Sequence, residues 1–339
     1  MNNNSVFYDK TLGALLGGLI GDAMGTPTEN MHYQKIEEKY GWVDSFDCDG
    51  TDDTVMKNLL ADALVRTDGY ATLDDWAAEW LNQYGEIFGP KLNKFFPSVT
   101  HTAVKLRLGG LPRAVALGNL PSSSSAMCIS PLGLVNACNP AAAARQAYQL
   151  APLIHVQDVA FCQDGAASMA AAVSAACIPG ADTDSIITAA TSVILQKSGQ
   201  EMLEGIDRAL ELAKSAGEFK AFRTQLYDRA DDFFKPITCD SRETIPLTLA
   251  LVLLADADFE KTVTYGANLG RDADTIASMA GAITGALSGA SNIPQNWVEK
   301  AMQVSGRDQQ EMAQQLVDTA NKKVVNERAA FDLLDQISR

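Results

Sequence analysis

Residues 13–25 read GALLGGLIGDAMG, and glycine recurs in this stretch at every fourth position, at Gly13, Gly17, Gly21 and Gly25. Residues four apart lie on one face of an α-helix, and mainly apolar residues separate these glycines. A glycine inside a helix costs about 0.5–1 kcal/mol relative to alanine, so four in one line indicate a packing role. The stretch therefore predicts a helix with a flat face that another backbone can approach closely. The alternative is that the glycines mark loops.

A second series, Gly281, Gly285 and Gly289, has the same spacing and predicts a second flat helix face. Helical periodicity of apolar residues also dominates the rest of the chain, and alternating strand patterns are nearly absent. Residues 245–255 predict a buried helix with Pro246 near its start. Residues 307–339 predict a polar edge helix whose apolar positions are Val317, Val324, Ala329 and Leu333. No long linker divides the chain, so we expect an all-α protein with a single domain over residues 1–339.

Composition limits the partners of the chain. It has 339 residues and a formal net charge of -15 at pH 7, which argues against nucleic acid or an anionic membrane as the main partner. Its six cysteines form no CxxC pair and predict buried, reduced thiols in a cytoplasmic protein. The N-terminus lacks the basic region of a signal peptide. Residues 275–297 carry no charge but contain Gly, Ser, Asn and Pro, which is typical of a core helix with a loop.

Two acidic clusters each stand directly before an apolar stretch, residues 49–54 (DGTDDT) and residues 272–275 (DADT). One Asp or Thr at such a place is an ordinary helix N-cap. Several carboxylates close together cannot all stay ionised without a cation. Asp and Thr oxygens suit Mg²⁺, Mn²⁺ or Ca²⁺ better than Zn²⁺. If the glycine-rich helices pack together, the two clusters meet and favour a site for two divalent cations.

Three stretches carry a resemblance to a known family, in the same order along the chain. They are Gly13–Gly25 with the following Glu29, Gly50–Thr54, and Asn268–Ala277 with the glycines after it. The chain resembles the ADP-ribosylglycohydrolase family, which includes dinitrogenase-reductase-activating glycohydrolases and J1 crystallins. The likeness extends from about residue 11 to about residue 290.

The resemblance implies an all-α orthogonal helical bundle with a dinuclear metal cleft that holds two Mg²⁺ or Mn²⁺ ions. Six residues match the metal-ligating positions of the family: Thr51, Asp52, Asp53, Asp272, Asp274 and Thr275. Glu29 matches an acidic residue at the metal centre. A carboxylate in the loop after Pro27 could act as a mobile base, so Glu29 is the first candidate for the general base and Asp53 the second. The alternative for Glu29 is an ordinary surface residue.

Three further residues are candidates for substrate binding. His155 matches a histidine that the family places in its substrate cleft, although a lone His among apolar residues is more often a core residue. Met127 aligns with the Met of a Met-Arg motif, but Cys128 stands where the Arg is common. Arg271 replaces a common Gly and either supplies a cation at the cleft or screens the acids. The missing Arg weakens the case for an ADP-ribosylated protein as substrate.

The predicted function is metal-dependent hydrolysis of a ribosyl glycosidic bond, most simply the removal of ADP-ribose from a protein or small-molecule adduct. One alternative is an N-glycosidase that acts on a smaller riboside such as a nucleoside. The other is a catalytically silent structural or binding protein, as crystallin-like relatives imply. No nucleophile elbow, P-loop or dinucleotide-binding motif competes with these hypotheses.

Overall fold

The computed structural model describes residues 5–338, and this part of the chain folds into eighteen α-helices without any β-strand. The helices are α1 (Val6–Gly25), α2 (Tyr33–Tyr40), α3 (Asp52–Arg66), α4 (Leu73–Asn82), α5 (Tyr84–Ile87), α6 (Pro97–Arg107), α7 (Ser130–Val135), α8 (Pro140–Leu150), α9 (Phe161–Ala176), α10 (Thr183–Ser192), α11 (Gln196–Ala216), α12 (Phe219–Asp228), α13 (Ala230–Phe233), α14 (Ser241–Leu254), α15 (Phe259–Ala267), α16 (Ala273–Ser288), α17 (Gln295–Val304) and α18 (Gln309–Ile337). The predicted all-α class is confirmed.

Helices α1 and α16 form the central pair, and they touch backbone to backbone. A Cβ atom added to Gly17 would lie 2.1 Å from the carbonyl oxygen of Gly281, and one added to Gly285 would lie 2.1 Å from that of Gly13. The contacts descend along α16 as they ascend along α1, so the two helices are antiparallel. The predicted close contact is confirmed. It brings the end of α1 beside the start of α16.

The second glycine series is shorter than predicted. Gly289 lies outside α16 and ends it, with a φ of +82° that favours glycine. Ala277 takes the place of a third glycine, because its carbonyl lies 2.1 Å from where a Cβ of Gly21 would be. At this level of the contact, α16 can carry the methyl group of Ala277, whereas α1 still requires glycine at Gly21.

Two other helix predictions need correction. Pro246 lies inside α14, which begins five residues earlier at Ser241. Helix α18 packs against the body only through its first half, where Val317 is buried. Val324 and Leu333 are 42% and 63% exposed, and Ala329 is also exposed, so the second half is not an edge helix on the core.

The apolar side chains form two clusters that share helices. The larger cluster surrounds α1, α3, α9 and α16, and the smaller one lies between α11, α12 and α14. All six cysteines are free, and four of them are buried. Between residues 5 and 338, no helix is long and apolar enough to cross a membrane.

Candidate functional site

The candidate site lies where the ends of three helices meet. The close contact between α1 and α16 places the turn after α1, which carries Glu29, beside the start of α16. Helix α3 begins in the same place, and Thr51 caps it by accepting a hydrogen bond from the backbone N–H of Asp53. The helix ends surround a cleft of about 230 Å³. Both predicted acidic clusters therefore contribute to one site.

Five carboxylates crowd around this cleft. Oxygens of Glu29, Asp272 and Asp274 all lie within 4.8 Å of one another. The Thr51 hydroxyl joins the two clusters, because its Oγ1 lies 3.5 Å from an oxygen of Asp53 and 3.5 Å from one of Asp274. Thr275 also donates to Asp53, at 3.3 Å. Asp52 accepts a hydrogen bond from the Phe96 backbone N–H at 2.9 Å. The six predicted metal-ligating residues lie together.

None of these five acids forms an ion pair within residues 5–338, although the buried ammonium group of Lys57 interacts with Asp53. Burial, and then the charges of neighbouring carboxylates, hold the pKa values of Asp53, Asp272 and Asp274 well above the usual range. Burial also raises the pKa of Asp52 to about 7. Among the described residues that line the cleft, Lys94 is the one cation. A site of this kind favours protons or metal ions over free carboxylates.

Two buried oxygens show that this donor set suits a metal ion. Asp53 Oδ1 and Asp274 Oδ1 have no hydrogen-bond partner within residues 5–338. A buried carboxylate oxygen without a partner is costly, and a hard divalent cation would satisfy it. The surrounding donors are carboxylate and hydroxyl oxygens, which Mg²⁺ and Mn²⁺ prefer. The residues present therefore fit a divalent metal.

Asp22 organises the site, although the sequence analysis gave it no role. Its buried carboxylate accepts hydrogen bonds from the backbone N–H and the hydroxyl of both Thr51 and Thr54, at 2.6–3.0 Å. Gly50 makes this approach possible, because a Cβ there would lie 2.1 Å from Asp22 Oδ2. An aspartate within the otherwise apolar stretch 12–25 was the available signal. Asp22 fixes the acidic loop onto α1.

Glu29 is oriented by a short chain of hydrogen bonds. The Asn30 amide donates to Glu29 Oε1 at 2.9 Å, and Thr238 in turn donates to the Asn30 side-chain oxygen at 2.7 Å. Glu29 is exposed at the cleft, desolvation by the surrounding protein raises its pKa, and the Asn30 hydrogen bond opposes this shift. Asn30 and Thr238 both line the cleft, and no sequence motif predicts either of them. Their contribution depends on tertiary contacts 208 residues apart in the chain.

His155 is buried behind the cleft. Its Nε2 lies 3.0 Å from the Ser122 hydroxyl and its Nδ1 lies 2.8 Å from that of Ser125. Burial lowers its pKa to about 3. Between these serines, Ser123 donates to Asp272 at 3.2 Å and lines the cleft. The ring thus supports the serine loop, and direct contact with substrate stays a prediction.

Met127 and Arg271 occupy different places. Met127 lines the acidic cleft, whereas Cys128 is buried and its thiol lies 3.4 Å from the Ser124 carbonyl oxygen. The Arg271 guanidinium pairs with both oxygens of buried Glu243, at 2.7 and 2.8 Å. Arg271 lines a neighbouring cavity of about 350 Å³ with Tyr227 and Phe234 instead of the acidic cleft. The charge of Arg271 is therefore paired with Glu243, and Arg271 does not line the acidic cleft.

Comparison with known proteins gives a family for the chain and a solved structure with the same fold. The family model described as ADP-ribosylglycohydrolase matches residues 3–326. An uncharacterised protein, YegU, of Escherichia coli strain K12 is 29% identical over 314 residues, covering 84% of this chain and 89% of the relative. ADP-ribosylarginine hydrolase Tri1 of Pseudomonas putida strain GB-1 is 27% identical over 326 residues, covering 92% and 79%. A solved structure titled ADP-ribosylglycohydrolase-related protein complex shares the fold, with a TM-score of 0.64 at 20% identity, over 93% of this chain and 98% of that one.

Proposed function

Because the chain belongs to the ADP-ribosylglycohydrolase family, we propose that it is a metal-dependent hydrolase that removes ADP-ribose from a protein or small-molecule adduct. The observation that carries this proposal is the pair of buried, unpartnered carboxylate oxygens on Asp53 and Asp274 beside the cleft. A silent structural protein on this fold would gain nothing from concentrating acids that repel one another. The name of the Tri1 relative, an ADP-ribosylarginine hydrolase, supports an N-linked ADP-ribose as the substrate.

The residues divide into those that hold metal and those that act on water. Thr51, Asp52, Asp53, Asp272, Asp274 and Thr275 would hold two Mg²⁺ or Mn²⁺ ions. When bound, such ions supply Lewis-acid stabilisation to ribose oxygens and neutralise the acids. Asp22 keeps the loop of Thr51 in place by accepting hydrogen bonds from four groups, the backbone N–H and the hydroxyl of Thr51 and of Thr54. Met127 and Ser124 form part of the wall against which the substrate lies.

Glu29 is the proposed general base. The Asn30 amide holds one of its oxygens, and the other is free to accept a proton from water. The water oxygen attacks ribose C1, the glycosidic bond breaks, and the leaving group gains one proton, so that one water is added in total. A raised pKa makes this carboxylate a stronger base than a fully solvated one. Asp53 is less suited, because it is buried and would be a metal ligand.

Glycosidic activity is tested with a substrate panel. Purified protein is incubated with an ADP-ribosylarginine peptide, a small ADP-ribose adduct and nucleosides, with Mg²⁺, Mn²⁺ or EDTA, and released ADP-ribose or ribose is measured by mass spectrometry. We expect release from an ADP-ribose adduct that EDTA abolishes. No release from any riboside, together with no metal binding by calorimetry, would contradict the proposal and favour a silent protein.

Glu29→Gln tests the base directly. We expect turnover to fall by about 10²-fold or more at saturating metal, because general-base catalysis contributes about 10²–10⁴-fold, while the melting temperature stays near the wild-type value. Glu38→Gln, an exposed glutamate on α2, is the matched control and should keep full activity. Unchanged turnover in Glu29→Gln would show that Glu29 is not the general base.

A smaller riboside remains the second candidate, and two observations favour it. The cleft measures about 230 Å³ and offers one cation, Lys94, for a diphosphate. The buried thiol of Cys128 occupies the position where the family commonly has Arg. Release of ribose from nucleosides with no reaction on ADP-ribose adducts would select this function.

All six thiols are free, which suits the reducing cytoplasm that we propose as the location.

A further inference from the structure

One long segment of this acidic protein carries basic residues without any acidic ones. Between Glu86 and Asp158 the chain contains no Asp or Glu. The same segment holds six basic residues: Lys91, Lys94, Lys105, Arg107, Arg113 and Arg145. In a chain with a net charge of -15, an anion meets the least repulsion along the sequence in such a segment.

Two of these arginines line a cavity that the proposed function does not use. The cavity measures about 740 Å³ and lies between residues 70–74, residues 111–113, helix α8 and helix α18. It shares no lining residue with the acidic cleft. Helix α3 separates the two sites, since it begins at the cleft and ends near Tyr70, and its 15 residues span about 22 Å.

A buried lysine forms the floor of this cavity. Lys323 is 7% exposed, and its Nζ donates to Asn136 Oδ1 at 2.5 Å and to Gln146 Oε1 at 3.1 Å. Both acceptors are neutral amides, and no carboxylate of residues 5–338 forms an ion pair with Nζ. Burial lowers the pKa of Lys323, and the nearby charge of Arg145 lowers it further, whereas Glu327 raises it. Buried charges in proteins normally have a partner of opposite charge.

The cavity rim adds two more cations and an apolar wall. Arg113 and Arg145 are exposed, and neither forms an ion pair with a carboxylate of the described chain. Tyr70 and Leu111, which are 45% and 60% exposed, line the same space. The guanidinium group matches phosphate with two parallel hydrogen bonds, and a phosphate monoester carries about the charge that two or three cations can compensate.

We propose that this cavity binds the phosphate group of a small phosphorylated molecule, with Lys323, Arg113 and Arg145 as its cationic contacts. The carboxylates of Asp74 and Glu327, which also line the cavity, accept hydrogen bonds from hydroxyl groups of the same ligand. Cations for a phosphate and carboxylates for hydroxyls describe a sugar phosphate or a nucleotide. Tyr70 and Leu111 then cover its less polar face.

The test is calorimetric titration of the full chain, freed of metal with a chelating resin, using inorganic phosphate, AMP and uncharged adenosine. We expect AMP and phosphate to bind and adenosine to bind at least about tenfold more weakly than AMP, because it lacks the charge-assisted contacts. Arg145→Met should weaken AMP binding by about tenfold or more. Lys323→Met should weaken it further, and Lys214→Met, an exposed cation on α11 away from the cavity, should leave it unchanged.

Three results would overturn the proposal. They are no binding of phosphate or AMP at millimolar concentration, equal AMP affinity in wild type and Arg145→Met, and tighter binding of malonate than of phosphate. Equal affinity would show that AMP binds outside this cavity. Because Arg145 is exposed, its variant keeps the test valid even if Lys323→Met fails to fold. The measurement needs no catalytic activity, so its failure is distinguishable from failure of the proposed hydrolase.

Discussion

At the level of one side chain, Asp274 is expected to destabilise the metal-free protein and to bind the metal ion. One of its oxygens has no partner within residues 5–338, and burial, together with the charges of four neighbouring acids, raises its pKa strongly. We expect Asp274→Asn to melt at a higher temperature than wild type when both are metal-free, because the change removes a repelled charge and keeps the shape. Mn²⁺ should raise the melting temperature of wild type and have little effect on the variant.

The matched control for this prediction is Asp207→Asn, an exposed aspartate on α11. It should respond to Mn²⁺ as wild type does. If Asp274→Asn gains as much from Mn²⁺ as the control, Asp274 is not a ligand. Differential scanning fluorimetry in EDTA and in Mn²⁺ supplies all of these values.

His155 predicts how stability depends on pH. Its folded-state pKa is about 3, and its unfolded value is about 6.5, so the unfolded chain binds more protons between these values. Stability therefore rises with pH across this window, and the contribution of His155 is lost as pH falls below about 6.5. The loss approaches about 1.4 kcal/mol per pH unit as an upper limit.

Removing the ring isolates this effect. We expect His155→Gln to flatten the dependence of unfolding free energy on pH between about 5 and 6.5, relative to wild type. Urea titrations of both proteins in EDTA measure it, and carboxylates that titrate in both proteins cancel in the difference. Identical slopes would mean that the ring is already charged in the folded protein.

At the scale of helices, the contact between α1 and α16 depends on glycine at particular positions. A Cβ on Gly17 would meet the Gly281 backbone at 2.1 Å, whereas a Cβ on the adjacent Gly18 would meet Ala282 Cβ at an ordinary 3.8 Å. We expect Gly17→Ala to destabilise the protein by about 1–3 kcal/mol and to weaken metal binding, because the helix ends move apart. Gly18→Ala should stabilise it by about 0.5–1 kcal/mol.

The two glycines are adjacent on one helix, so each variant controls for the other. Chemical unfolding and calorimetric Mn²⁺ titration give both quantities. Higher stability in Gly17→Ala, with unchanged metal affinity, would show that the acids are brought together without this contact.

The elements also show what the sequence could predict. Spacing of four along α1 and α16 is local information, and it was enough to predict their contact and the meeting of both acidic clusters. Resemblance to a family selected the residues that we propose as metal ligands. Other features depend on distant neighbours that spacing cannot reveal. Asp22 accepts hydrogen bonds from a loop 29 residues away. Val324 is exposed because α18 extends beyond the rest of the protein at that point. The burial of His155 likewise depends on the loop of Ser122 and Ser125, which contacts both ring nitrogens.

At the scale of the whole molecule, the single domain over residues 1–339 stays a prediction, and helices that the two apolar clusters share favour it. Helix α14 gives Leu249 to the larger apolar cluster and Leu251 to the smaller one. Helix α16 likewise gives Met279 to the larger cluster and Ile276 to the smaller. Two cores that share helices should not unfold separately, so we predict one cooperative transition.

Phe222→Ala in a Trp42→Phe background tests this cooperativity, because the tryptophans report on different cores. Trp42 packs on the smaller cluster, and Trp76, Trp80 and Trp297 belong to the larger one, so Trp42→Phe leaves reporters only there. Phe222 is fully buried in the smaller cluster, and truncating it costs about 3–5 kcal/mol. If the cores unfold together, the fluorescence midpoint of the larger cluster shifts by as much as the calorimetric midpoint, and the endotherm keeps one peak. Two peaks, with the tryptophan signal unmoved, would divide the chain into two domains, and the contact between α1 and α16 would then be stable on its own.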